Sequence, residues 1–151
     1  MSETIQGAIE ALEYYAAQLL RDFEAIPPAD RTRTFPQAGT SAAQIVKQCA
    51  VVTRRQAAYV RGEEPRVPFE PAPSAEDAEQ AKREFEAAVE ELRATLEAVT
   101  PESLAQERQM PWGATMALRQ YIFRPSNHLA YHDGQLGYIQ LLLGDREFHS
   151  R

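Results

Sequence analysis

Two histidines one helical turn apart are the residues best suited to chemistry in this sequence. His128 and His132 lie in the run His-Leu-Ala-Tyr-His-Asp-Gly-Gln, which ends at Gln135. Residues at positions i and i+4 share one face of an α-helix, with their β-carbons about 5–6 Å apart. Neutral imidazole is the commonest side-chain ligand for metals. We therefore expect both rings to approach one divalent ion.

A third ligand has to come from a facing helix. Gln48 is predicted to lie on the inward side of its segment, where its carbonyl oxygen can ligate an ion or its amide can hydrogen-bond an imidazole. The neighbouring Cys49 is an alternative, although we predict a buried structural cysteine there. Asp133 is about 100° round the helix from His132 and is predicted to point elsewhere. The predicted metal ligands are His128, His132 and Gln48.

Four segments with a 3.6-residue apolar period must position these side chains. The predicted helices cover residues 4–26, a stretch that begins at Ser41 and ends before Gly62, residues 74–99, and residues 115–143. A polar connection follows the first helix, and a proline-rich linker, residues 65–73, follows the second. This organisation predicts an all-α fold, a four-helix bundle with long connections, in a single domain over residues 1–151.

Local signals set the limits of these helices. Pro27-Pro28 should stop the first helix, because proline lacks the amide proton and clashes with the preceding turn. Ser41 and Gln44 have the spacing of a capping box, which predicts the start of the second helix. Thr100-Pro101-Glu102 predicts a short helical piece, and residues 110–115 predict a turn-rich loop before the last helix.

Pro125 and two glycines interrupt the helix that carries the histidines. Pro125 predicts either a kink beside the histidines or the first turn of a new helix, and the sequence leaves both open. Gly134 and Gly137 each cost about 1 kcal/mol relative to alanine in a helix interior. We expect them to permit close approach by another helix, either within the bundle or across a dimer interface.

Composition narrows the classes of function. The chain has 151 residues, 25% of them charged, and a net charge of −6, which argues against nucleic acid as a partner. Its one cysteine excludes an intrachain disulfide and a thiolate-rich zinc cluster. The sequence shows no signal-peptide pattern and no apolar run near the ~18 residues of a membrane span. We therefore expect a cytoplasmic protein that does not bind membranes.

Three sequence elements resemble the DinB-like superfamily of four-helix proteins. They are residues 40–48 at the start of the second helix, the loop Pro111-Trp112-Gly113, and the motif that joins His128, His132, Gly134 and Gln135. The resemblance extends over nearly the whole chain. It implies a divalent metal (nickel, zinc or manganese) held by three histidines, two of them at His128 and His132. Gln48 stands where the family has its second-helix histidine.

The resemblance also implies two alternative functions. One is a metal-dependent enzyme, a transferase or isomerase that uses a low-molecular-weight thiol such as bacillithiol or mycothiol to attack a small electrophile. Tyr121 or Tyr131 would then supply a proton or orient the substrate. The other is a degenerate member with an incomplete site, acting as a small-ligand-binding or dimeric interaction module. Either way the family implies a homodimer and a small-molecule substrate or ligand.

Overall fold

Four long helices make up most of the protein. The computed structural model describes residues 1–63, 74–110 and 112–149. The long helices are α1 (Glu3–Ala25), α2 (Ala42–Val60), α3 (Ala78–Glu97) and α5 (Arg124–Leu142), with a short α4 (Leu118–Tyr121) before the last. Helix α1 packs against α3 and α5, and α2 packs against the same two helices from the other side. The predicted four-helix bundle is confirmed.

The predicted helix starts and stops have the expected local chemistry. The Ser41 hydroxyl accepts from the Gln44 backbone N–H at 3.1 Å, and the Gln44 side chain accepts from the Ser41 N–H at 3.1 Å. Helix α1 ends at Ala25, before the two prolines. Helix α3 begins at Ala78 rather than at residue 74, because the Asp77 carboxylate caps it by accepting from the Gln80 N–H. The predicted linker, residues 65–73, lies outside the described residues.

The region before α5 differs from the prediction. Residues 115–117 do not extend the last helix: they form strand β2 (Thr115–Ala117), which pairs antiparallel with β1 (Glu107–Gln109). Three-residue strands are too short to produce a visible alternation of apolar residues, so the hairpin was missed. The short helical piece predicted after Thr100 is present as a 3-10 helix, Pro101–Ala105. Pro111, within the predicted loop, lies outside the described residues.

Pro125 begins a new helix. Helix α4 ends at Tyr121, two residues follow in a turn, and Pro125 occupies the first turn of α5. Proline is tolerated there because the N–H groups of a first helical turn have no partner within the helix. The alternative of a kink within one continuous helix is wrong. The site histidines consequently lie one to two turns inside α5 and not in the middle of a longer helix.

One continuous hydrophobic core fills the bundle. Large side chains from every long helix are fully buried, among them Leu12, Val46, Phe85, Leu129 and Leu136. None of the helices in the described part of the chain has the length and apolarity that a bilayer crossing requires. The core matters for function because it fixes α2 and α5 against each other, and these two helices carry the candidate site.

Candidate metal centre

Helix α5 brings His128 and His132 together as the spacing predicts. Their Nε2 atoms lie 3.1 Å apart, and their ring centroids lie 4.4 Å apart in an edge-to-face arrangement. Both residues are half-buried. The two rings therefore point their Nε2 atoms at a common position on the inner side of the helix.

Cys49 on α2 completes a group of three donor atoms. One donor atom each from Cys49, His128 and His132 lies within 4.8 Å of the other two. Cys49 is fully buried, as predicted, but it also faces the histidines. The alternative in which Cys49 supplies the ligand from α2 is therefore consistent with the structure.

The donor set fits a divalent transition metal. Tetrahedral zinc at about 2.0–2.1 Å from each imidazole nitrogen requires the two nitrogens to be about 3.3 Å apart, close to the distance found for His128 and His132. A thiolate with two imidazoles suits zinc well, whereas manganese prefers oxygen ligands. Three protein ligands are also the usual number for a catalytic zinc site, which keeps a fourth position open.

Gln135 orients the ring of His132. Its side-chain oxygen lies 2.6 Å from His132 Nδ1, so it accepts a hydrogen bond when that nitrogen carries the proton. The proton assignment follows from this contact, since Gln Oε1 can only accept. His132 Nε2 then carries the lone pair, which accepts from His128 Nε2–H in the metal-free protein and can bind a metal in place of that proton. Such outer contacts fix the tautomer and the ring orientation of metal-binding histidines.

Burial keeps both histidines neutral. Burial lowers the pKa of His128 to about 4, and the nearby His132 lowers it further. The pKa of His132 is also lowered by burial, an effect that the hydrogen bond to Gln135 opposes. His128 Nδ1 is buried and has no hydrogen-bond partner among the described residues. Neutral imidazole is the form that ligates metals, so both rings are ready to bind near neutral pH.

The Cys49 thiol, unlike the two imidazoles, is not in the form that binds a metal. Burial raises the pKa of its thiol far above the ordinary value, and the negative charge of Asp133 raises it further. The thiol is therefore protonated near neutral pH in the metal-free protein. Only the thiolate ligates a metal, so binding at this site has to displace the Cys49 proton.

Gln48 lies beside the histidines in the wall of a cavity. The cavity has a volume of about 290 Å³, and its lining includes Gln44, Gln48, His132 and Gln135. Gln48 therefore faces inward, as predicted, next to His132. Its assignment as a metal ligand remains a prediction. Cys49, one residue further along α2, is the residue that joins the group of three converging donors.

The other polar candidates do not join these donors. Asp133 faces Asp22 on α1; burial first and a hydrogen bond with Asp22 second raise the pKa of Asp133 to about 7. Gln140 donates to the Asp22 carbonyl oxygen at 2.8 Å. His149 pairs with Asp145 at 2.7 Å, beyond the end of α5. As the sequence predicted, Asp133 does not belong to the group of converging donors, and neither does His149.

Two buried polar residues near Cys49 escaped the sequence analysis. Thr53 and Gln56 follow Cys49 at i+4 and i+7, so the three residues lie on one face of α2. Thr53 is fully buried and Gln56 is 8% exposed. In the described part of the protein, neither Thr53 Oγ1 nor Gln56 Oε1 has a hydrogen-bond partner. Their helical spacing from Cys49 was the available signal.

The two tyrosines proposed for proton transfer differ in placement. Tyr131 is 67% exposed and its ring contacts His132 edge to face, with the centroids 5.2 Å apart. Tyr121 is buried against Tyr59, and burial raises the pKa of its hydroxyl. The Tyr121 hydroxyl therefore stays protonated at neutral pH and can only donate a hydrogen bond or accept one.

Comparison with protein-family models decides the family. The model of the DinB superfamily matches residues 11–136, which include α2, α3 and the histidine pair on α5. This chain belongs to the DinB superfamily. None of the curated proteins matches it closely enough to count as a relative.

Solved structures of similar fold agree with this assignment. YfiT from Bacillus subtilis, described as a probable metal-dependent hydrolase with an unusual four-helix bundle topology, superposes with a TM-score of 0.75 at 14% identity, covering 95% of this chain and 90% of YfiT. A conserved protein from Enterococcus faecalis gives a TM-score of 0.76 at 15% identity, covering 95% and 99%. A DinB-like protein from Bacillus cereus gives 0.72 at 14%, covering 95% of each chain. At such identities the similarity shows the fold alone.

Proposed function

We propose that this DinB superfamily protein is a metal-dependent enzyme that binds a divalent ion through Cys49, His128 and His132. The observation that carries the proposal is the convergence of these three donor atoms within 4.8 Å of one another. The description of YfiT as a probable metal-dependent hydrolase supports a metal-dependent role. The ligand set combines one thiolate with two imidazoles, and such a set favours zinc.

The chain holds these ligands in place through contacts from both helices. Packing of α2 on α5 fixes the distance from Cys49 to the histidines. The hydrogen bond that His132 Nδ1 donates to the Gln135 oxygen keeps the lone pair of His132 on Nε2, on the side of His128 and Cys49. A metal held there would supply Lewis acidity, which lowers the pKa of a bound water or thiol toward neutrality.

The cavity next to the ligands suits a small, uncharged polar group. Its lining contains three amide side chains, Gln44, Gln48 and Gln135, together with the imidazole of His132. Amides offer both donors and acceptors and carry no charge, so they bind carbonyl, amide or hydroxyl groups. Further along α2, the buried Thr53 hydroxyl and Gln56 carbonyl are additional candidates to bind polar atoms of the substrate.

We favour transfer of a small thiol over hydrolysis. The described lining of the cavity includes no carboxylate or lysine that could act as a general base for water. A thiol ionises far more readily than water, so metal activation alone can provide the nucleophile. The cytoplasm is the expected location, because a reducing environment keeps Cys49 available as a ligand. The same lack of a base also favours the second candidate function, a small-ligand-binding module without turnover.

Metal content tests the proposal. The protein, purified without a histidine tag and loaded with zinc, should bind about one equivalent by plasma mass spectrometry. His128→Ala and Cys49→Ala should each lose most of that zinc, because each removes one of three ligands. His149→Ala is the matched control, since His149 pairs with Asp145 outside the site. Equal zinc retention by Cys49→Ala and the wild type would contradict the assignment of Cys49.

A Gln48 variant distinguishes the ligand set predicted from the sequence, which includes Gln48, from the set that has Cys49 in its place. If Gln48 is a ligand, Gln48→Ala should reduce zinc affinity as much as Cys49→Ala does. If it only lines the cavity, Gln48→Ala should leave zinc affinity within a few-fold of the wild type, and we expect this second result. The zinc-loaded protein should then consume bacillithiol or mycothiol in the presence of a small electrophile. A zinc-loaded protein that binds these thiols without turnover would favour the ligand-binding module.

A further inference from the structure

A second cavity lies at the C-terminal end of α2, away from the candidate metal centre. It has a volume of about 610 Å³ and is bounded by the ends of α2 and α3, the 3-10 helix, β1 and α4. Its described lining has no residue in common with that of the cavity beside the histidines. Val60 in its wall follows Cys49 by 11 positions, which is about 16 Å along a helix. We propose that this cavity, which we call the Arg108 cavity, binds a small carboxylate with an apolar body.

Arg108 reaches the Arg108 cavity from the middle of β1. Its neighbours Glu107 and Gln109 are exposed, whereas Arg108 is half-buried, as expected for a strand whose successive side chains point to opposite faces. The inward position of such a strand usually carries an apolar residue. An arginine there gives up part of the hydration of its charge and has to recover it through hydrogen bonds.

The Arg108 guanidinium has fewer partners than its burial requires. Its Nη2 donates to the side-chain oxygen of Gln106 at 3.0 Å, and that amide carries no charge. Its Nε is buried and has no hydrogen-bond partner among the described residues. In the same part of the chain, no carboxylate forms an ion pair with Arg108. A buried donor without an acceptor is destabilising, so an acceptor supplied by a ligand would satisfy it.

The other charged residues of the described wall are Arg61 and Glu91, and they pair with each other. Arg61 Nη1 donates to a carboxylate oxygen of Glu91 at 3.1 Å, and Arg61 Nε donates to Glu63 at 2.7 Å. Glu91 therefore does not compensate Arg108. The described wall is left with one unmatched positive charge, although the whole chain has a net charge of −6. One guanidinium matches one carboxylate in charge and in geometry.

The end of α2 holds the guanidinium in place. A β-carbon added to Gly62 would lie 3.4 Å from Arg108 Nη2, so the guanidinium packs closely on this glycine. Gly62 has a φ of +83° and follows the last turn of α2, where the final carbonyl groups form the negative end of the helix dipole. This end stabilises a cation. Arg108 is therefore fixed before a ligand arrives, while its Nε stays available.

Apolar side chains form much of the remaining wall. Those in the described lining are Val60, Ala94, Ala98, Val99 and Leu118. Beside them, the Thr100 hydroxyl accepts from the Ser103 N–H at 3.4 Å, so its own proton can bind a second carboxylate oxygen. Inorganic phosphate would leave the apolar wall uncovered and carry more negative charge than one guanidinium offsets. The lining therefore fits a monocarboxylate with a short hydrocarbon chain.

Titration with hexanoate, followed by heteronuclear NMR of the backbone amides, tests the proposal. Hexanoate should bind saturably with a Kd of about 1 mM or tighter and shift the amide signals of Gly62 and Ser103. Hexanamide, which has a similar shape without the charge, should bind more than ~10-fold more weakly, and so should inorganic phosphate. Arg108→Gln should weaken hexanoate binding by more than ~10-fold, because it removes the guanidinium. Arg119→Gln, exposed on α4 and outside the described lining, is the matched control and should bind as the wild type does.

A second variant blocks the Arg108 cavity without removing the charge. Ala94 is exposed on α3, so Ala94→Phe should leave the core intact and weaken hexanoate binding by about tenfold. Ala87→Phe, exposed on the same helix and outside the described lining, is its control. Hexanoate should bind equally well to metal-free and zinc-loaded protein, because the Arg108 cavity is separate from the candidate metal centre.

Four results would overturn the proposal. The first is the lack of saturable hexanoate binding, and the second is unchanged binding by Arg108→Gln, with circular dichroism as the check that each variant keeps its helices. The third is binding only to the zinc-loaded protein, which would place the carboxylate on the metal. The fourth is tighter binding of phosphate or hexanamide than of hexanoate, which would exclude a carboxylate as the ligand class.

Discussion

Release of the Cys49 proton gives the sharpest test of the proposed metal site. The raised pKa of the thiol means that metal-free protein holds this proton throughout the neutral range. The histidines contribute little to the release at neutral pH, since the pKa of His128 is about 4 and that of His132 is lowered from its ordinary value. Zinc binding should therefore displace one proton from the protein, and that proton comes from Cys49.

The size of the pH effect on zinc affinity follows from this proton count. Displacement of one proton makes the zinc association constant rise about tenfold for each unit of pH, or about 1.4 kcal/mol per unit. An ordinary cysteine, with a pKa of about 8.5, would give this slope only up to that pH and then level off. Because burial raises the pKa of Cys49, the rise should continue to about pH 9.5.

Competition with a chromophoric zinc chelator measures how steeply the zinc association constant rises with pH, from about pH 6.5 to about pH 9.5. The Cys49→Ala variant supplies the baseline, because it retains any proton release from other groups while lacking the thiol. The difference between the two slopes should be close to one proton. Identical slopes for the wild type and Cys49→Ala would refute the role of Cys49 as a ligand. A slope that levels off near pH 8.5 would show that the thiol is not buried as described.

Three further predictions address the neighbours of the site and the core. Gln135→Leu should weaken zinc binding by about 10–100-fold with little loss of stability, because it removes the 2.6 Å contact that orients His132. Titration against the same chelator measures the zinc affinity. An unchanged affinity would show that the contact is incidental. Asp133→Asn should raise the free energy of unfolding of the metal-free protein by about 1–2 kcal/mol at about pH 8 and by little near about pH 4. The expected gain at about pH 8 is kept this small because solvent screens the charge of a half-buried carboxylate. The sign follows from the pKa of about 7: the folded state binds a proton more tightly than the unfolded chain, so stability falls as pH rises from about 4 to about 7. Urea unfolding at both pH values checks it, with the exposed Glu107→Gln as control, and an equal effect at the two pH values would refute it. Leu136→Ala should cost about 2–5 kcal/mol in the same assay because Leu136 is fully buried, and a loss well below 1 kcal/mol would show that α5 is not packed as described.

Local sequence determined most of the helical architecture of this protein. The capping box at Ser41 and the prolines after α1 act through neighbouring backbone atoms, so their effect could be inferred without any tertiary contact. The spacing of His128 and His132 likewise fixed their shared face on α5, because a helix places residues four apart side by side whatever surrounds it. The DinB resemblance rested on the same local motifs and is confirmed by the family match.

Tertiary packing decided what stands opposite the histidines. Gln48 and Cys49 are neighbours on α2, and an apolar period tolerates either of them on the inward side of that helix. The packing of α2 against α5 brought Cys49 within reach of the two histidines and placed Gln48 in the wall of the adjoining cavity. The structure also supplied the β1–β2 hairpin, which the sequence did not predict, and decided between the two alternatives at Pro125. A helical period specifies a face to within a few tens of degrees, whereas a ligand set is defined by separations of a few ångströms between atoms on different helices.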